Sequence, residues 1–208
     1  MDTLDSILEQ SARHHKHLCP RQVLGARMGL YAAQLLGLEL PRKDKRLLAI
    51  AETDGCMVDS LSVATGCRVG NRTLRVLDFG KVAATFVDIY TETSIRIHPS
   101  RQSRTLAIEY VAEARNRWEA MLIGYQVLAL EDLFNVRPVY LKVPLTEIIG
   151  KPNLKTECEL CGEEIINGRE VSRNDLILCR SCAGDRYYEL KEAPVSLYQI
   201  STCPVPSV

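Results

Sequence analysis

Apolar residues recur along this chain at two different periods. Over residues 3–13, Leu4, Ile7 and Leu8 share one helical face and predict a short helix. The stretch RQVLGARMGLYAAQLLGL repeats the pattern at Leu24, Met28, Tyr31 and Leu35, with Pro20 suited to the first turn and Gly37 to the stop. Gly25 and Gly29, four apart, weaken this helix slightly but allow another backbone close to it. Leu47–Ala51 is an unbroken apolar run, the pattern of a buried strand, and leads directly into Thr53-Asp54-Gly55-Cys56. Residues 56–65 return to helical spacing through Met57, Leu61 and Ala64, with Gly66 as a C-terminal stop. Leu74–Phe79 and Val82–Tyr90 read as strands around Gly80, with a third at Ser94–His98. Residues 101–134 are helical in pattern, as two helices or one bent one. Pro138–Val143 reads as a last strand, ended by Pro144. This order is that of an α+β protein rather than regular βαβ alternation.

At 208 residues, 46% hydrophobic and 25% charged, the chain has material for a main domain and a small module. Gly150–Asn153 carries linker residues, which divides the chain into a mixed helix/sheet core domain, 1–150, and a zinc-finger module with a C-terminal tail, 151–208. Formal net charge is zero, with seven Lys/Arg and nine Asp/Glu in residues 151–208. Neither part has the basic surplus of a nucleic-acid binder. No apolar run reaches the ~18 residues of a membrane span. MDTLDSILEQ carries acids where a secretory signal needs positive charge, so a cytoplasmic protein with reduced cysteines is expected. Eight cysteines then point to metal binding or catalysis before disulfides.

Cys158-x2-Cys161 and Cys179-x2-Cys182, separated by 17 residues, are two knuckles that suit one tetrahedral zinc in a ribbon or treble-clef module. Four protein ligands leave no position for substrate, so one structural zinc per chain is expected. Four thiolates do not by themselves name the metal, and iron is the minor alternative. The tail residues Tyr187, Tyr188, Leu190, Leu197, Tyr198 and Ile200 suggest packing on the core or on a partner, and Cys203 reads as a spare thiol.

The core domain gathers further reactive residues. In HHKHLCP, His17 and Cys19 can face one ion or one substrate, and Cys19 falls at a helix N-terminus, where a thiolate is favoured. Cys56 also stands at a helix start and could complete a site with one open position. Asp54 or Asp59 could orient the histidine. Cys67 is harder to include, because 11 helical residues at ~1.5 Å rise put it ~16 Å from Cys56. It would join only across a dimer interface, or if residues 56–66 are not helical. Between Gly66 and Arg104, seven Lys/Arg face three Asp/Glu, which makes a small anionic ligand plausible, with Lys81 able to hold it. His14, His15 and His98 read as surface or packing residues.

The blocks HKHLCP with Gly25-x-Arg27, Asp54-x-Cys56-x-x-Asp59, Thr65-Gly66-Cys67 and Asp78-x-Gly80-Lys81-x-Ala83 resemble the E-subunit family of formylmethanofuran dehydrogenase over roughly residues 10–140. Arg21 and Arg68 depart from its pattern, standing where glycine and threonine are common. The resemblance implies an α+β core, a homodimer, and a cavity holding His17, Cys19, Cys56, Asp59, Cys67 and Lys81. Some members add a C-terminal zinc finger. It also implies association with an enzyme complex of one-carbon, methanogenesis-type metabolism, although nothing in this chain suggests that it carries a molybdenum or tungsten pterin.

The expected function is a metal-binding protein with a structural zinc and a small-molecule or second transition-metal site in the core. In an oxidoreductase-associated reading, His17, Cys56 and Cys67 are core metal ligands, Cys19 is a third ligand or nucleophile, Asp59 a base and Lys81 an anion holder. The alternative is a non-catalytic accessory subunit or adaptor that docks a partner through the zinc module.

Overall fold

The computed structural model describes residues 3–15, 17–150 and 153–189, and of His14 only the backbone. Leu190, Leu197, Tyr198, Ile200 and Cys203 lie outside the described residues. The chain divides between Ile149 and Gly150 into two compact units.

The first unit opens with helices α1 (Leu4–His15) and α2 (Pro20–Leu36), then strand β1 (Leu47–Ala51), helix α3 (Met57–Thr65) and strand β2 (Leu74–Val76). Strands β3 (Ala84–Asp88) and β4 (Ser94–Pro99) follow, then helices α4 (Ser103–Tyr110), α5 (Arg117–Val127) and α6 (Leu130–Leu133), strand β5 (Phe134–Pro138) and helix α7 (Leu145–Ile149). The five strands form one sheet in the order β2-β1-β3-β4-β5. Only β1 and β2 run parallel, because α3 carries the chain back between them. The fold is therefore α+β, with a single βαβ unit at one sheet edge.

Both faces of β1 are covered, which explains its unbroken apolar sequence. Leu47, Ala49 and Ala51 enter the main core beneath α1, α2 and α3, whereas Leu48 and Ile50 pack with Val87 against Leu141, Leu145, Ile148 and Ile149. Helix α2 is central: Val23, Ala26, Met28 and Ala32 are fully buried. Its glycines let it touch α3. A Cβ at Gly25 would stand 2.2 Å from the Met57 carbonyl oxygen, and one at Gly29 2.8 Å from Ala64 Cβ. The contacts advance together along both helices, so α2 and α3 lie side by side in parallel and their N-termini meet at one end of the unit.

The last strand differs from the sequence expectation of Pro138–Val143. Strand β5 comes earlier, with Phe134, Val136 and Pro138 opposite Pro99, Ile97 and Ile95. Phe134 and Val136 point to the main core while Asn135 and Arg137 face away, the alternation of a half-covered edge strand. Pro138, opposite Ile95, loses no ladder bond by lacking an N–H, and the last bond runs from the Val139 N–H to the Ser94 carbonyl at 3.0 Å. The apolar residues beyond it serve the opposite face, where Leu141 packs on Leu48 and Ile50.

The second unit consists of two hairpins, β6 (Lys155–Glu157) with β7 (Glu164–Ile166) and β8 (Val171–Arg173) with β9 (Leu176–Leu178). Its small core is Cys158, Ile165 and Leu178, packed against Cys179, Cys182 and Ala183. Among the described residues no helix is long and apolar enough to cross a membrane.

Candidate functional site

The convergence of α2 and α3 brings together two thiols 37 residues apart in sequence. Cys19 caps α2 and Cys56 caps α3, and their Sγ atoms lie 2.9 Å apart. The loop that carries Cys19 is pinned by Gln22, which is 1% exposed. The Gln22 Oε1 accepts the Cys19 backbone N–H at 2.8 Å, and its Nε2 donates to Ser11 Oγ at 2.9 Å and to the Ser11 carbonyl at 3.2 Å. A buried amide with both ends satisfied holds the end of α1 and the start of α2 in one register. Burial, and next the hydrogen bond with Cys19, push the Cys56 thiol up to about 11, against a smaller opposing pull from Arg21. Its place beside Cys19 thus disfavours the Cys56 thiolate.

Both cysteines line a cavity of about 810 Å³. Its other walls come from His15 and His17, from the segment Pro99–Thr105 at the end of β4 and start of α4, and from Trp118, Met121 and Tyr125 on α5. Arg27 fixes α5 against α2, donating from Nη1 to the Tyr125 and Leu128 carbonyls at 2.7 Å each, a cation at a helix C-terminus. Three arginines, Arg21, Arg101 and Arg104, face the cavity, and among the described residues no aspartate or glutamate lines it. The N-termini of α2, α3 and α4 open on the same space through Cys19, Cys56 and Ser103. Cationic side chains and the positive ends of three helix dipoles together favour a negatively charged occupant.

The remaining residues expected here are distributed differently. His17 is exposed and lines the cavity. Asp59 lies one turn after Cys56 but pairs with His15, whose Nε2 meets Asp59 Oδ2 at 2.5 Å, and not with His17. His15, read from sequence as a surface or packing residue, therefore stands between the thiol cavity and a second groove lined by Asp59, Ser62, Val63 and Arg68. Lys81 is exposed and does not line the cavity; its backbone N–H donates to the Glu52 carbonyl at 3.0 Å. The cavity's cations are arginines instead. Cys67 is buried at the far end of α3, its Sγ 3.4 Å from the Leu47 carbonyl oxygen. Since α3 is helical from Met57 to Thr65, the set His17, Cys56 and Cys67 does not come together within one chain. His98 sits on β4, its Nδ1 2.9 Å from the Pro99 carbonyl oxygen.

The second unit holds a different cysteine geometry. The Sγ atoms of Cys158, Cys161, Cys179 and Cys182 all lie within 4.8 Å of one another, and Cys161 and Cys179 are 3.9 Å apart. Two sulfurs bound tetrahedrally to one zinc at ~2.3 Å are separated by about 3.8 Å, so this set fits an ion. The Cys19–Cys56 separation is about 1 Å too short for two ligands of such an ion, and the core thiols as placed are a contact pair. Without a cation, neighbouring thiols in this cluster are driven in opposite directions. The Cys179 backbone N–H leads in drawing Cys158 down to about 6, while the hydrogen bond with Cys179 leads in pushing Cys182 up to about 12.

The family described as "FmdE, Molybdenum formylmethanofuran dehydrogenase operon" matches residues 14–135. The chain belongs to the FmdE family. A "tungsten formylmethanofuran dehydrogenase subunit e (FmdE)-like protein" from Syntrophus aciditrophicus has a similar fold, with a TM-score of 0.57 and 22% identity over 90% of this chain and 96% of that one. A protein of Archaeoglobus fulgidus described as a "Probable S-adenosyl-L-methionine-binding protein" is 29% identical over 211 residues, 88% of this chain and 54% of its own length. The chain thus spans about half the length of that curated relative. The FmdE match contains the thiol pair and every residue of the cavity, and it ends before the four-cysteine cluster.

No motif in the sequence marks Arg101, Arg104, Trp118 or Tyr125 as cavity residues. Arg101 and Arg104 were legible only as part of a basic surplus. The two aromatics lay in a helical pattern that is ordinary core by periodicity.

Proposed function

We propose that the first unit is a binding or reaction site for a small anionic molecule, with the Cys19/Cys56 thiols as its reactive groups. The observation that carries this is a cavity of about 810 Å³ faced by three arginines and three helix N-termini, with no carboxylate in its lining among the described residues. Trp118, Met121 and Tyr125 give the occupant an apolar wall, so a ligand with an anionic end and an unsaturated or apolar body suits the space. S-adenosylmethionine, suggested by the Archaeoglobus relative's name, fits less well, because among the described lining residues its sulfonium and ammonium groups would meet arginines and no carboxylate. The family description supports a reading near one-carbon, oxidoreductase-linked metabolism.

Trp118 is the chain's single tryptophan and stands at the cavity, so its fluorescence reports occupancy. Titration with small di- and tricarboxylates, pyrophosphate and S-adenosylmethionine should show saturable changes for the anions, weakened by salt. Arg101→Ala and Arg104→Ala should each weaken anion binding about tenfold, as loss of a charge-assisted hydrogen bond predicts. Saturation by S-adenosylmethionine alone, unaffected by either substitution, would refute the reading.

In the second unit the four thiols suit one structural zinc, which would cross-link the two hairpins around a core too small to fold unaided. The adaptor reading draws on the same unit, where Leu160, Ile166 and Leu176 are exposed and available to a partner. A homodimer would cover exposed Trp118, Ile123 and Val127 on α5, and sedimentation of the full chain tests it.

A further inference from the structure

We propose that Cys19 and Cys56 form a reversible two-electron dithiol–disulfide pair that exchanges with small disulfides entering the cavity. The two Sγ atoms are 2.9 Å apart, about 0.9 Å outside the ~2.05 Å of a disulfide and well inside the separation expected of two ligands on one metal ion. Both residues are half-buried and line the cavity, so a small molecule can reach the sulfurs. Each sulfur sits at the start of a helix, and those helices are locked side by side at Gly25 and Gly29, so the bond closes without rearranging the core. Cys67, 2% exposed at the other end of α3, takes no part.

The exchange runs in two steps. The Cys19 thiolate, at the N-terminus of the 17-residue α2, attacks one sulfur of a disulfide RSSR. A bond forms between Cys19 Sγ and that sulfur, the RS–SR bond breaks, and RS⁻ leaves and takes a proton from water. Cys56 then gives its proton to solvent and attacks Cys19 Sγ. The Cys19–Cys56 bond forms and the second RS⁻ leaves and is protonated. The protein dithiol loses two electrons and two protons, and the disulfide becomes two thiols. The pairing stands on the sulfur geometry alone. A preference for anionic disulfides rests additionally on the reading of the cavity given above.

The test uses the reduced full-length protein, incubated at low salt with either oxidised glutathione, an anionic disulfide, or cystamine, a cationic one. Remaining thiols are alkylated, and peptides are mapped by mass spectrometry. The expected product is a peptide joining Cys19 to Cys56 with loss of two hydrogens, formed about tenfold faster with oxidised glutathione, as electrostatic steering predicts. Cys56→Ser should stop at one glutathione on Cys19, and Cys19→Ser should leave Cys56 at least about tenfold slower to react. Absence of the joined peptide in wild type with both probes would overturn the dithiol pair, a result that needs no variant to fold. Equal rates with the two probes would uphold the pair and overturn the anionic reading of the cavity.

Discussion

Replacing Gly25 with alanine tests the packing that creates the thiol pair. The added Cβ would lie 2.2 Å from the Met57 carbonyl oxygen and 2.3 Å from Ser60 Oγ. Neither neighbour can step aside easily. The carbonyl is main chain in the first turn of α3, and the buried Ser60 hydroxyl donates to that same oxygen at 3.0 Å. Relief to an ordinary contact requires α2 and α3 to part by about 1 Å. Overpacking of this kind costs ~1–3 kcal/mol, and an unyielding backbone neighbour places it toward the upper end. Alanine recovers about 1 kcal/mol of helix propensity, which leaves a net loss of about 2 kcal/mol. At ~2–4 °C per kcal/mol for a chain of this size, the melting temperature should fall by roughly 4–8 °C. Circular dichroism melts measure this. Disulfide formation between Cys19 and Cys56 should slow in parallel, because the sulfurs cap the two helices being separated. Gly37→Ala is the control: its φ is +63° with open space around it, so only the left-handed cap is strained and the thiols are untouched. A Gly25→Ala protein that melts at or above wild type would refute the close approach.

Metal analysis of the purified chain should give one zinc, which Cys158→Ser removes and Cys67→Ser leaves in place. That metal should be released as pH falls, because thiolates must be reprotonated to let it go. Asp88 supplies a separate pH signature. Paired hydrogen bonds from Arg46 hold its carboxyl at about 2, below its ordinary 3.8. Because the folded-state value is depressed, the stabilisation is present above pH ~4 and is lost as pH falls from there toward 2. Urea midpoints should therefore decline through that range, and Asp88→Asn should flatten the decline by on the order of 1 kcal/mol, since Arg46 is partly open to solvent. Asp59→Asn should leave the fold intact but loosen the His15 ring, and it should change the rate of Cys19 alkylation while buried Cys67 stays inert.

Where the sequence could be read, the signals were local. Pro20 and Gly37 bound α2, Gly66 stops α3, and five consecutive apolar residues mark β1, because caps and periodicity act within a few residues of themselves. The misplaced last strand shows the limit of that reading. Val139, Leu141 and Val143 alternate as well as Phe134 and Val136 do, and only the register against β4 separates them. Among the histidines of HHKHLCP, the partner of Asp59 depends on where α1 ends relative to α3, which spacing alone does not specify.

By itself the sequence determined the α+β class, the four-thiol cluster and the density of chemistry around Cys19 and Cys56. A fixed C-x2-C spacing and a helix cap carry their geometry with them. Tertiary structure alone decided that Cys19 meets Cys56, that Cys67 does not, and that Arg101 and Arg104, not Lys81, face the cavity. Those outcomes depend on how far apart two helices stand and on which face of each turns inward. Between α2 and α3, a glycine at position 25 against the Met57 backbone permits the short distance.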